Sequence, residues 1–418
     1  MSCLIIPNTT SWDSYLSIIK HLKKNKINFK VLIINESIHN LAKKTKWLKD
    51  YIVNIEPNYK KIFRENLTSK IITLIFYHLK YYLFAYKLIN KHKFKNIILA
   101  GDRDTPLMLI LIKLLKNINS KVYIFHSGIF ASPKMIRISR QVHKFYFIKK
   151  KSFTHKIFKM YCINDENNPK LAILYYDKIQ IYLHKIFNIL PKNPWIPSGG
   201  RSDCYLVENK VIANLYKKIG CKKKIIVIGS KDHDNIIHSI KIKKPRKKIT
   251  VAIMLTQWFE HNLLDYATHL QRNEILCKYI SKSYSKFNLN VVLFLHPKQK
   301  LKNYEWVKKY KIKISDKKFS EYFANIDLIY LGFSSSILSW SVQYRKTTII
   351  ADIFEEKHSI FFSKFIKYAK NLKQLDLVLE KNLYKIKKSK QKNSKILEKK
   401  VYKKLSFKEN ILKLINSN

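Results

Sequence analysis

Two short motifs put side chains where phosphate chemistry could be done. The first is His296-Pro297, closing the apolar run in VVLFLHPKQK. A buried strand would carry the imidazole to its C-terminal edge, where Pro ends the ladder. That edge is where α/β sheets take ligands, and an imidazole can donate to a phosphate or to charge developing on it. The same two residues also make an ordinary structural turn. The second motif is Gly332-Phe333-Ser334-Ser335-Ser336, between an apolar run ending at Leu331 and a helical pattern from Ile337. Strand, glycine, serines and helix is the layout of an anion site, with N–H and hydroxyl groups turned outward at a helix start. A plain serine cap has the same layout. Read together, the two motifs fall on neighbouring strands of one half and converge on one phosphate.

The elements that must position them are short, β-branched apolar runs separated by longer helical patterns. Strands are expected at Cys3–Pro7, Val31–Ile34, Asn96–Ala100 and Lys121–Phe125. Helices are expected over Ser11–Lys24, with Ser11 as cap, over Asn66–His92 and over Asp104–Lys116. Ser132–Pro197 is less regular. The strand pattern returns at Cys204–Val207 and Ile225–Ile228, then again at Ile249–Leu255, Val291–Leu295, Lys311–Ile314, Asp327–Leu331 and Thr348–Ala351. Such alternation implies parallel sheets covered on both faces. The expected fold is α/β, with two Rossmann-like domains facing a central cleft. Residues 1–235 form the first domain, 236–248 a basic linker ending in KIKKPRKK, 249–385 the second domain, and 386–418 a Lys-rich helical tail.

Leu295-His296-Pro297 and Ser334-Ser335-Ser336 resemble the HP and serine-pair motifs of bacterial GT-B glycosyltransferases that build surface polysaccharides, including CMP-sugar transferases for sialic acid or Kdo. The likeness runs over about Asp203–Glu356 and takes in YLVENK, VIGSKDHD and Leu255-Thr256-Gln257. CDP-glycerol transferases and sugar-nucleotide 2-epimerases share related patterns. The resemblance implies that His296, Pro297, Gly332 and Ser334–Ser336 hold the nucleotide phosphate and sugar, and that Glu355 contacts the donor sugar or ribose. Gly101-Asp102-Arg103, followed by His126-Ser127-Gly128, is similar to the GDR…HxxG segment of hydrolysing UDP-GlcNAc 2-epimerases. The acidic residue those enzymes carry after that Gly is replaced here by Ile129-Phe130.

Transfer from a sugar nucleotide develops negative charge on the leaving phosphate and needs a base for the acceptor hydroxyl. Asp102 is the first choice for that base, then Asp104, with Asp13 as a further carboxylate after a strand. Each also reads as a helix cap. Arg103, His126, Gln257, Glu260 and His261 are expected to position the acceptor. No DxD-type motif stands in a convincing loop, so neither metal nor other obligatory cofactor is expected. The expected activity is sugar transfer from a nucleotide-activated, CMP-linked donor to a surface polysaccharide or lipid-linked glycan. A 2-epimerase-like enzyme and a non-catalytic polyanion- or membrane-binding protein are the alternatives.

Composition narrows the partners. The chain has 418 residues, 46% hydrophobic, so it can bury sizeable cores. Lys+Arg is 82 against 28 Asp+Glu, a net charge of +54. Only eight positives are Arg, where a reader of guanines and phosphates would use more. No nucleic-acid motif is present. Biased codon usage or an anionic partner accounts for the Lys excess. KYYLFAYK (Lys80–Lys87) and KFYFIKKKSF (Lys144–Phe153) interleave rings and lysines, as an anionic bilayer surface would favour. A helix with a buried aromatic face and a solvated Lys face has the same pattern. Five scattered cysteines give no disulfide framework or zinc spacing. A cytoplasmic protein, at the inner membrane face, is expected.

Overall fold

The computed structural model describes residues 2–8, 11–34, 36–54, 67–103, 105–126, 136–137, 140–141, 143–241, 248–257, 259, 264–296, 299–332, 337–354, 363–391 and 406–416. They form two compact units, residues 1–230 with 407–418, and residues 231–406.

The first unit begins with β1 (Ser2–Ile6), β2 (Asn28–Ile33), β3 (Ile52–Asn54), β4 (Asn96–Leu99) and β5 (Lys121–His126). Three short strands follow, β6 (Phe147–Lys149), β7 (Cys162–Asn164) and β8 (Leu171–Leu174), then β9 (Cys204–Val207) and β10 (Lys224–Val227). Among the described residues seven of these make one parallel sheet, in the order β10-β9-β5-β4-β1-β2-β3. Alternate side chains enter different cores. Leu4 and Ile6 pack on one side with Leu107, Ile110 and Leu111, and Cys3 and Ile5 on the other with Tyr15, Ile18 and Ile19. This period of two, with both faces apolar, is why β1 reads as an unbroken hydrophobic run. The Trp12–Lys24 helix starts one residue later than expected, and the Ser11 hydroxyl does not cap it. Thr105 does cap its helix, Pro106–Asn117, accepting from Met108 N at 3.3 Å with Pro at the first turn. The irregular region after Ser132 contains an antiparallel sheet, β6-β8-β7, over its own apolar cluster.

The second unit holds β11 (Ile249–Met254), β12 (Leu289–Leu293), β13 (Lys313–Ile314), β14 (Leu328–Leu331), β15 (Thr347–Ala351) and β16 (Ile366–Ala369). They form a parallel sheet in the order β13-β12-β11-β14-β15-β16 among the described residues. Residues 236–241, expected in the linker, instead continue the Lys231–Lys241 helix, which buries Ile236 and Ser239. Asp232 in its first turn accepts from Ser320 Oγ at 2.7 Å. The end of the chain returns to the first unit. The Phe407–Asn416 helix inserts Phe407, Ile411 and Ile415 into its core, and Asn410 donates to Ile228 O at 3.1 Å.

Candidate functional site

In the second unit β12, β11 and β14 are adjacent and parallel, with Ile253 opposite Leu293 and Met254 opposite Leu331. Their C-terminal ends therefore lie side by side and carry His296, Thr256-Gln257 and Gly332. The sequence placed the His296 and Gly332 strands next to each other. The structure inserts β11 between them, because the first strand of this sheet takes a central position. Gln257 thus stands in the row between His296 and Gly332. Gly332 is dictated by contact: its N donates to Met254 O at 3.0 Å, and a Cβ on it would lie 2.5 Å from Thr256 Oγ1. That hydroxyl is buried without a hydrogen-bond partner among the described residues.

Behind the strand ends lies a buried polar network that sequence reasoning missed. Asn273 exchanges two bonds with the Thr256 backbone, each 3.1 Å. His269, one turn earlier on the Tyr266–Ser281 helix, lies 3.2 Å from the Tyr304 hydroxyl through Nε2. Its Nδ1 accepts from Phe259 N at 3.4 Å, which leaves Nε2 to donate to Tyr304. Gln299 donates to Tyr304 at 2.6 Å and accepts from His296 N at 2.8 Å. The chain of bonds thus runs from β11 to the His296 loop. The legible signal was a His and an Asn four residues apart on the face of a helix that also buries Leu276, Cys277 and Ile280. Pro297, Ser334, Ser335, Ser336, Glu355, Glu260, His261 and Asp104 lie outside the described residues. The His126 backbone closes β5 opposite Val207, and its side chain is also outside them.

In the first unit Asp102 is 1% exposed. Its Oδ2 accepts from Ser202 Oγ at 2.7 Å and Ser202 N at 3.3 Å, and its Oδ1 from Tyr205 OH at 3.2 Å. Arg103 Nε lies 3.5 Å away and Lys223 Nζ 3.9 Å away. Arg103 also donates to Pro194 O and Ile196 O, at 2.6 and 2.5 Å, and its own carbonyl accepts from Tyr176 OH. Burial holds the Lys223 ammonium below its usual pKa, with Asp102 opposing. A Cβ on Gly200 would collide with the Asp102 carboxyl, and one on Gly199 with Asn193 O. The structure thus places Asp102, the expected base, and Arg103, the expected acceptor ligand, in the bonds that close the 194–202 loop. Asp13, in the first turn after β1, is solvent-exposed. Among the described residues no group of three or more His, Cys, Asp or Glu could hold a metal ion.

No family model matches the chain. No curated protein matches it. Solved structures do. MurG from Acinetobacter baumannii aligns with 100% of this chain and 99% of its own, at a TM-score of 0.51 and 8% identity. The fold is of the GT-B type. A UDP-glucosyltransferase from Polygonum tinctorium, capable of glucosylating indoxyl, gives a TM-score of 0.50 at 8% identity over 99% of this chain and 98% of its own. A UDP-N-acetylglucosamine 2-epimerase aligns at 0.48 and 10% identity over 100% and 94%. The two parallel sheets of this chain are thus the two Rossmann-like halves of that fold.

Proposed function

We propose that the protein is a glycosyltransferase that moves a sugar from a CMP-linked donor to a surface polysaccharide or lipid-linked glycan at the inner face of a membrane. The observation that carries this reading is the row of His296, Thr256-Gln257 and Gly332 on three adjacent strand ends. Parallel α/β sheets take ligands at that edge. The His296 imidazole donates to the phosphate as the glycosidic C–O bond breaks and charge moves onto the leaving nucleotide. The orphaned Thr256 hydroxyl supports an oxygen-rich ligand nearby. Pro297, Ser334, Ser335, Ser336 and Glu355 complete the donor contacts, and Glu260 and His261 position the acceptor. Asp102, or Asp104 after it in the same motif, takes the proton of the acceptor hydroxyl as its oxygen attacks the sugar carbon.

A thermal-shift series with CMP, CDP, UDP and GDP tests the donor class, since a ligand that binds only the folded state raises its melting temperature. CMP is expected to give the largest shift, and a larger one with UDP would overturn the CMP assignment. His296→Ala is expected to lower donor turnover by about 100-fold. Turnover equal to the parent's would remove His296 from the site. Asp104→Asn should keep the CMP shift and lose transfer, and unchanged transfer would exclude Asp104 as base. The Gly101-Asp102-Arg103 pattern favours a second reading, a 2-epimerase-like enzyme. Release of free N-acetylmannosamine from UDP-GlcNAc, without acceptor, would establish that reading instead.

A further inference from the structure

The Leu67–His92 helix is apolar on two opposite faces. One carries Leu74, His78, Tyr81, Ala85 and Leu88, all buried. The other carries Ile72, Phe76, Leu79, Leu83 and Tyr86, all exposed, with Phe76 at 62% and Leu83 at 59%. Both sets step by four and three residues, so each is a straight stripe along the helix. The exposed stripe is about 21 Å long at helical rise. Lys80, Lys87 and Lys91 line one flank of it, and the helix contains no Asp or Glu. The Lys178–Ile186 helix packs beside it through Leu183 on Leu74. That helix exposes Ile186 at 76%, with Tyr182 and Lys185. The Tyr182 ring lies 5.2 Å from Phe158, and Phe153, Ile157 and Met160 around that residue in sequence are exposed as well. More than half of the exposed large hydrophobics among the described residues fall on these elements. An exposed apolar stripe of this kind marks an interaction surface.

We infer that this surface docks on an anionic lipid bilayer. Self-association through the stripe would bring the lysines of two copies together, each copy carrying +54. Phosphate headgroups complement the lysine flank instead, and the acyl boundary takes Phe76, Leu79 and Leu83. No described helix is long and apolar enough to cross a membrane, so the helix lies along the surface. The inference rests on the membrane-face part of the proposed function and stands apart from its sugar chemistry, because none of the candidate-site residues is on this helix.

Flotation of the full chain with vesicles of phosphatidylcholine and phosphatidylglycerol tests it. The protein should float with these vesicles, and a fraction should stay bound on raising salt from about 0.15 to about 0.5 M, where headgroup attraction is screened. Replacing Phe76, Leu79 and Leu83 together by Ser leaves the charge unchanged. It should weaken partitioning by about tenfold or more and remove the salt-resistant fraction. Leu377→Ser, at another exposed apolar position, should behave as the parent. If the triple variant fails to fold, Lys80→Gln with Lys87→Gln should weaken binding at the lower salt. Three results would overturn the inference: a triple variant that floats like the parent, a parent that stays with the lipid-free fraction, or a lipid-free dimer that the triple variant converts to monomer. Donor turnover in solution should be the same in parent and triple variant, so a failure here leaves the proposed activity untouched.

Discussion

Asp102 shows how a residue type and its place in a motif can point one way and its surroundings another. A carboxylate after a strand is a fair candidate for a base. Here the Ser202, Tyr205, Arg103 and Lys223 side chains around it make a buried charged knot. Removing one partner of such a knot leaves the others charged and desolvated. Asp102→Ala should therefore destabilise the first unit by about 3–5 kcal/mol, read as a lower urea midpoint. Donor binding in the second unit should survive where the chain remains folded. A loss of activity with unchanged stability would assign Asp102 to catalysis instead. Thr256 and Gly332 are the opposite case, where one contact distance decides the residue. Glycine is needed at 332 because Thr256 occupies the place of its Cβ.

At the scale of elements, the docking of the Leu67–His92 helix on the Lys178–Ile186 helix depends on two neutral imidazoles. His78 and His184 lie with ring centroids 5.5 Å apart, and His78 Nδ1 donates to Leu74 O at 2.7 Å. Burial, then the neighbouring His78, holds the His184 pKa down to about 3. Burial also lowers His78, against the Leu74 bond that raises it. The unfolded chain protonates these groups near pH 6.5, whereas the folded chain resists. Their contribution is thus present above about pH 6.5 and is lost as pH falls toward 3, by up to about 1.4 kcal/mol per pH unit for His184. Thermal unfolding from pH 7 to 4 should fall less steeply in His184→Phe than in the parent, and parallel curves would contradict this. The second sheet adds a lesson of the same scale. The β11 strand separates β12 from β14, so Gln257 stands in the row between the two motifs.

At the scale of the whole molecule, the last helix belongs to the first unit although the second intervenes in sequence. Phe407 is 1% exposed, with its ring 5.6 Å from Phe125 at the centre of that core. Phe407→Ala should cost the first unit about 3–5 kcal/mol. Calorimetry should show its transition move down while the second unit's holds, and an unchanged scan would mean the helix adds nothing. The charge of +54 also acts at this scale. It gives any anionic surface a long-range attraction, but the apolar stripe on the Leu67–His92 helix determines which face settles there.

By itself the sequence determined the alternation of strands and helices, the two α/β halves, and the edge carrying His296 and Gly332. Those follow from hydrophobic period and from turn residues, which are local properties. Cys204–Val207 and Thr348–Ala351 could be read within a residue because buried parallel strands are unbroken apolar runs. The tertiary structure alone decided strand order, the burial of Asp102, the His269–Tyr304–Gln299 network and the return of Phe407 to the first core. Each joins residues from 5 to more than 280 positions apart. Whether a carboxylate meets water or three donors depends on what the rest of the chain lays over it, and neither composition nor spacing encodes that.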